Sequence, residues 1–143
     1  MKHLIILLLI GVLVACGKTS TEAKSASHDS GTASNRMDAF ELISQDEEML
    51  ESCYTNNFEY DSPKCTHPMT ISRSGLYMLD QKSVITDNGY TLIVRAIGNQ
   101  ISDTDCETFI VQATADSNGN ATRKATNSSG QDTTKECWRD YPD

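Results

Sequence analysis

No run of basic residues longer than Arg123-Lys124 occurs in this sequence. With 20 acidic against 12 basic side chains and a formal net charge of −8 over 143 residues, that absence argues against non-specific nucleic-acid binding, which neutralises phosphates with clustered Lys and Arg. No nucleic-acid partner is expected, and an anionic membrane surface would repel the folded part. Aromatic residues make up only 6% of the chain, so a small core is affordable and a large one is not. There is no internal repeat and no glycine-rich phosphate loop. Three histidines are present, at positions 3, 28 and 67. His67 has no obvious carboxylate or nucleophile partner, and it reads as an exposed loop residue. The expectation is a single domain with no catalytic residue, no cofactor and no small-molecule substrate.

The chain also lacks long apolar stretches, with one exception at its start. Met1-Lys2-His3 is a short positive region, and residues 4–14 form an eleven-residue apolar run interrupted only by Gly11. At 1.5 Å per residue that run is roughly 16 Å long, well short of the ~30 Å hydrocarbon thickness. It therefore reads as a signal segment and not as a lasting anchor. It ends in Leu13-Val14-Ala15-Cys16-Gly17, which resembles the bacterial lipoprotein signal, where a small residue precedes a Cys that is diacylated and becomes the new N-terminus. The resemblance implies a signal peptide over residues 1–15 and a mature protein held to a membrane by lipid on Cys16. Gly17 stands where an Asp would retain such proteins at the inner membrane. By the same resemblance, the expected location is the outer membrane, on its periplasmic or surface face.

Lipidation of Cys16 leaves four cysteines, at 53, 65, 106 and 137. An even number in an exported, oxidising setting points to disulfides. Four cysteines allow three pairings, and the sequential, un-nested choice is Cys53 with Cys65 and Cys106 with Cys137. A four-cysteine metal site is the competing arrangement, but no pair has the short spacing that zinc ligands usually show. No metal is expected.

From residue 17 to residue 35 the sequence holds no aliphatic side chain larger than Ala. Such a segment cannot bury enough apolar surface to offset its ordering entropy, so residues 16–35 read as a lipidated Cys and a disordered tether. Structure is expected over residues 36–143. Apolar positions Met37, Phe40, Ile43, Leu50 and Tyr54, flanked by Met49 and Cys53, fit one face of an amphipathic helix over about 37–55. Asp46-Glu47-Glu48 reads as its solvated face. Beyond Pro68 the period changes to two, with strand signals over 76–79, 84–85, 90–97, 108–114 and 121–124. Asn118-Gly119 marks a hairpin turn. One helix followed by antiparallel hairpins is an α+β pattern, with the helix on one face of a sheet of about four strands.

In this order the pieces resemble the globular domain of a type IV pilin, especially the minor pilins of Gram-negative bacteria. The carrying residues are Cys53-Tyr54, Gly75-Leu76-Tyr77 and Gly89-Tyr90-Thr91-Leu92-Ile93-Val94-Arg95-Ala96. They continue with Cys106-Glu107-Thr108-Phe109-Ile110-Val111, the turn Ser117-Asn118-Gly119-Asn120 and a closing Cys137-Trp138. Pilins begin with a short leader followed by a long apolar helix that packs into the filament core. Here the one apolar run is the lipoprotein-like signal. The resemblance thus implies a pilin-like module that touches a pilus, or a related secretion or DNA-uptake filament, without polymerising. Loops 56–68 and 126–137 are the expected contact surfaces. A small periplasmic inhibitor or immunity-type lipoprotein that blocks a hydrolase would need the same size, bridges and tether.

Two acidic turns suit hard cations by composition. Asp103-Thr104-Asp105 lacks the rest of a calcium loop and reads as a solvated turn. Asp116-Ser117-Asn118-Gly119-Asn120 reads as a plain hairpin turn. Trp138, beside a cysteine, is expected to pack on the core.

Overall fold

In a computed structural model of the protein, residues 29–66, 68–117 and 119–141 are described. Cys16 and its signal segment, His28, His67 and Asn118 lie outside those residues. The first element, α1 (Asp29–Asn57), is a single helix of 29 residues. It begins before residue 37, so the last seven residues assigned to the tether are helical. The physical reason lies across the molecule. Asn35 donates to Gln100 Oε1 at 3.1 Å, and the Arg36 guanidinium grips both oxygens of Asp103 at 2.6 and 2.8 Å. Once that turn is pinned, adding helical residues needs no new nucleus.

The buried face of α1 is carried by Ala39, Phe40, Leu42, Ile43, Asp46, Leu50 and Cys53. Their spacing of three and four defines one stripe. Met37 does not belong to it. At 3.6 residues per turn it falls about 160° from Ala39, and it is 49% exposed. The acidic stretch is not a solvated face either. Asp46 is 0% exposed, because it stands three residues after Ile43 and four before Leu50, in the middle of the stripe.

Five strands make the sheet expected to have about four: β1 (Tyr77–Leu79), β2 (Val84–Thr86), β3 (Gly89–Ala96), β4 (Thr108–Thr114) and β5 (Thr122–Thr126). All are antiparallel in the order β1-β3-β4-β5, and β2 also pairs with β3. The register puts Leu92 opposite Val111, Val94 opposite Phe109, and Phe109 opposite Ala125. These residues are buried, so one sheet face meets the helix stripe in a continuous core with Tyr77, Tyr90 and Cys106. Gly89 opens β3 where a Cβ would meet the Ala113 carbonyl oxygen at 2.5 Å. Only glycine lets the two backbones approach so closely there.

The last segment closes the β5 edge. Thr133 N–H donates to Ala125 O at 3.0 Å, and Ala125 N–H donates to Thr134 Oγ1 at 3.0 Å. A four-residue helix, α2 (Thr134–Cys137), follows, too short to leave a periodic signal in the sequence. Behind it Trp138 stacks on Phe40 with centroids 5.4 Å apart, and Tyr141 meets Phe40 edge-on at 5.2 Å. The fold is α+β, one long helix on an antiparallel sheet, with disulfides joining Cys53 to Cys65 and Cys106 to Cys137.

Candidate functional site

The surface best built for recognition is the stretch between α1 and β1, residues 58–66 and 68–76, which four contacts hold against the helix. The first is the Cys53–Cys65 bridge, with the Asn57 amide donating to Cys65 Sγ at 3.3 Å. Second, Tyr60 inserts beside α1: its ring stacks on Tyr54 at 4.7 Å and meets Tyr90 edge-on at 5.2 Å. Third, the Asp46 carboxylate accepts the Met69 backbone N–H at 2.8 Å. Fourth, Asp38 accepts from the Ser72 hydroxyl and from Ser74 N–H, and that hydroxyl oxygen in turn accepts the Tyr77 N–H at 3.0 Å. A loop without regular structure thus acquires one shape.

Burial sets the electrostatics of these pins. Asp46 is driven up to about 6 because its carboxyl is taken out of water, and the single Met69 bond recovers only part of that loss. Its Oδ2 has no hydrogen-bond partner. The Tyr60 and Tyr90 hydroxyls both point at Glu51, at 3.2 and 3.3 Å. Burial first, and then the Glu51 charge, push Tyr60 up to about 12, so both phenols remain donors throughout the physiological range.

All five arginines of the chain stand against carboxylates. Arg36 is on Asp103, Arg95 on Asp80 and Arg123 on Glu47, while Arg73 and Arg139 make surface pairs with Glu41 and Asp140. The Arg123 pair is the most enclosed of those at the C-terminal end. Arg123 Nη2 reaches both Glu47 oxygens at 2.9 and 3.0 Å, its guanidinium lies 4.6 Å from the Tyr141 ring centroid, and Tyr141 donates to Glu47 at 3.0 Å. Glu47, expected on a solvated face, instead ties α1 to β5 and the C-terminal aromatics.

The remaining sequence candidates separate cleanly. Asp103 is buried in the Arg36 pair and also accepts from Gln100 at 3.2 Å, so it is neither a solvated turn nor a free cation ligand. Asp116 is exposed in a short 3-10 turn, Ala115–Ser117. Among the described residues no group of His, Cys, Asp and Glu side chains is gathered to hold a metal. A groove of about 520 Å³ runs along α1 past Met37, Asp38, Glu41 and Gln45, but Asp38 is already committed to Ser72 and Ser74. Of the two expected contact loops, 126–137 is partly consumed: Thr133 N–H donates to Ala125 O on the β5 edge at 3.0 Å, its hydroxyl donates to Asp105 O at 2.7 Å, and Thr134–Cys137 is helical. Of the expected loop 56–68, Asn56 and Asn57 end α1 and Tyr60 and Ser62 are buried, while Phe58, Glu59, Asp61 and Lys64 are exposed.

This helix, its bridged loop and the strands as far as the start of β4 coincide with a known family. Residues 28–110 match the family described as type IV minor pilin ComP, DNA uptake sequence receptor. The chain belongs to that family. The match runs from the start of α1 into β4, so this minor-pilin fold includes the Cys53–Cys65 loop, while β5, α2 and Cys137 follow the matched region. No curated protein matches the chain.

Proposed function

We propose that this protein is a pilin-like module that works by protein–protein contact in type IV pilus function or DNA uptake, tethered to the bacterial outer membrane by lipid on Cys16. Membership of the minor-pilin family supports the pilus setting. The lipoprotein-like string Leu13-Val14-Ala15-Cys16-Gly17 supports the tether, and the same reading makes the domain a companion of the filament and not a polymerising subunit.

The enclosure of Arg36, Arg95 and Arg123 in carboxylate pairs is the observation that carries the mode of action. The family's description is of a receptor for DNA uptake sequences. In this chain, however, Arg36, Arg95 and Arg123 are committed to intramolecular partners, and acidic groups outnumber basic ones by 20 to 12. Phosphate contacts need free cations, whose release of counterions supplies the affinity. Lys64, Lys82, Lys124 and Lys135, with Arg73 and Arg139 in exposed surface pairs, are the cations left at the surface among the described residues, and they are scattered over different elements. That arrangement favours a protein partner over a nucleic-acid backbone.

The test is genetic and biochemical together. Deleting the gene should change pilus number, twitching or DNA uptake, while sheared and purified pili should lack the protein. Cys16→Ser should abolish acyl labelling and release the protein from the membrane pellet. Stoichiometric protein within purified filaments would defeat the companion role. Tight retention of duplex DNA by the purified chain at physiological salt would defeat the protein-contact mode.

A further inference from the structure

The most informative backbone position is where α1 ends. Phe58 has φ +63°, and among the described residues it is the one non-glycine with a positive φ. Its N–H donates to Tyr54 O at 2.7 Å, so it closes the helix as a left-handed cap, a position where glycine is the usual residue. A side chain there is strained, because Cβ crowds the backbone in this conformation. Burial does not offset the strain. Phe58 is 78% exposed, more than any other large hydrophobic described. Stability of the fold alone would favour glycine at position 58, so an aromatic ring held out into solvent on a strained residue calls for another reason.

The surroundings say what kind of surface would receive it. Glu59, Asp61 and Asp87 are all exposed. Tyr60, buried between them, donates its backbone N–H to Asp87 O at 3.2 Å, which sets the β2–β3 turn beside the loop. Asp61 and Asp87 face one another within hydrogen-bond reach, an arrangement that holds Asp61 above the usual carboxylate range. None of these three carboxylates is in an ion pair among the described residues. The Cys53–Cys65 bridge and the buried Tyr60 fix both ring and carboxylates on one rigid frame, so little ordering entropy is lost on docking.

We propose that Phe58 is a preformed anchor that inserts into an apolar pocket of a protein partner, the pocket being rimmed by Lys or Arg that meet Glu59, Asp61 and Asp87. An exposed aromatic anchor with charges at its rim is the usual anatomy of a binding hot spot. Charge complementarity selects a basic protein surface over a lipid one, since an anionic leaflet repels the same carboxylates. The partner's place in pilus function rests on the reading given above; the anchor itself does not.

The experiment keeps the two apart. Full-length protein carrying p-benzoylphenylalanine at position 58 is irradiated in its own cells. The expected result is one protein adduct, mapped by mass spectrometry to a partner segment containing Lys or Arg. Its yield should fall about tenfold when Asp61 and Asp87 are both changed to Lys. Phe58→Gly should leave the thermal midpoint unchanged or raise it, while abolishing partner binding. An adduct yield no greater than at exposed Ile101, adducts with lipid alone, or an adduct indifferent to the charge reversal would overturn the anchor. So would a lower midpoint for Phe58→Gly, which would make the ring a structural support. A basic-rimmed partner unrelated to pili would support the anchor and count against the pilus reading.

Discussion

Asp46 is the sharpest test of the packing described above, because a carboxylate with one oxygen unpaired sits wholly inside the stripe that α1 turns to the sheet. Burial raises it from 3.8 to about 6. The sign follows from linkage: a carboxyl whose folded pKa lies above its unfolded value costs stability when ionised. That cost is fully present above about pH 6. It disappears as pH falls from about 6 toward 3.8 and the folded form takes up its proton first. The interval is 2.2 units (6 minus 3.8), which at 1.36 kcal/mol per unit is at most about 3 kcal/mol. Asp46→Asn removes the charge and keeps an oxygen for the Met69 N–H, although it buries an amide with unpaired hydrogens at a cost of about 1–3 kcal/mol. The absolute gain at neutral pH is therefore small. The pH dependence is not, because the amide cost does not titrate. Urea unfolding of the wild type and Asp46→Asn at pH 4 to 8, with disulfides intact, should give stability differences that grow in favour of Asn by about 2–3 kcal/mol between the ends of the range. Parallel pH profiles for the two proteins would refute the burial argument.

Two further perturbations read other joints of the fold. Glu47→Ala leaves Arg123 against Trp138 and Tyr141 without its carboxylate; because the pair is largely enclosed, the loss should be on the order of 2–3 kcal/mol, seen in chemical unfolding followed by Trp138 fluorescence. Removing the bridges should rank by loop length, since 31 residues separate Cys106 from Cys137 and 12 separate Cys53 from Cys65. The chain-entropy model expects losses of about 4 and about 3 kcal/mol for the Ser double variants, and a non-reduced digest should contain no crossed peptide.

The even number of cysteines made their pairing readable in the sequence, and alternation made the strands readable, since residues such as Leu92 and Val94 repeat every second position on a face that must be buried. The tight approach of Gly89 to Ala113 O was invisible there, because it depends on which strand lies alongside β3. Asp46 left a trace that spacing could have caught: it falls in register with Ile43 and Leu50, although its charge and its acidic neighbours point outward. The early start of α1 left none, since residues 29–35 hold no large apolar side chain and their order follows from Asn35 and Arg36 meeting Gln100 and Asp103 from 65 and 67 residues away.

What the amino-acid sequence determined by itself was therefore the class of the fold, the even set of cysteines, the acidic balance and the apolar pattern, all local or additive properties of the chain. Only tertiary structure decided which charges are spent internally, where a helix begins without an apolar cue, and that Phe58 stands strained and uncovered beside three carboxylates. The physical reason is that burial and ion pairing belong to neighbours distant along the chain, whereas periodicity belongs to neighbours close along it.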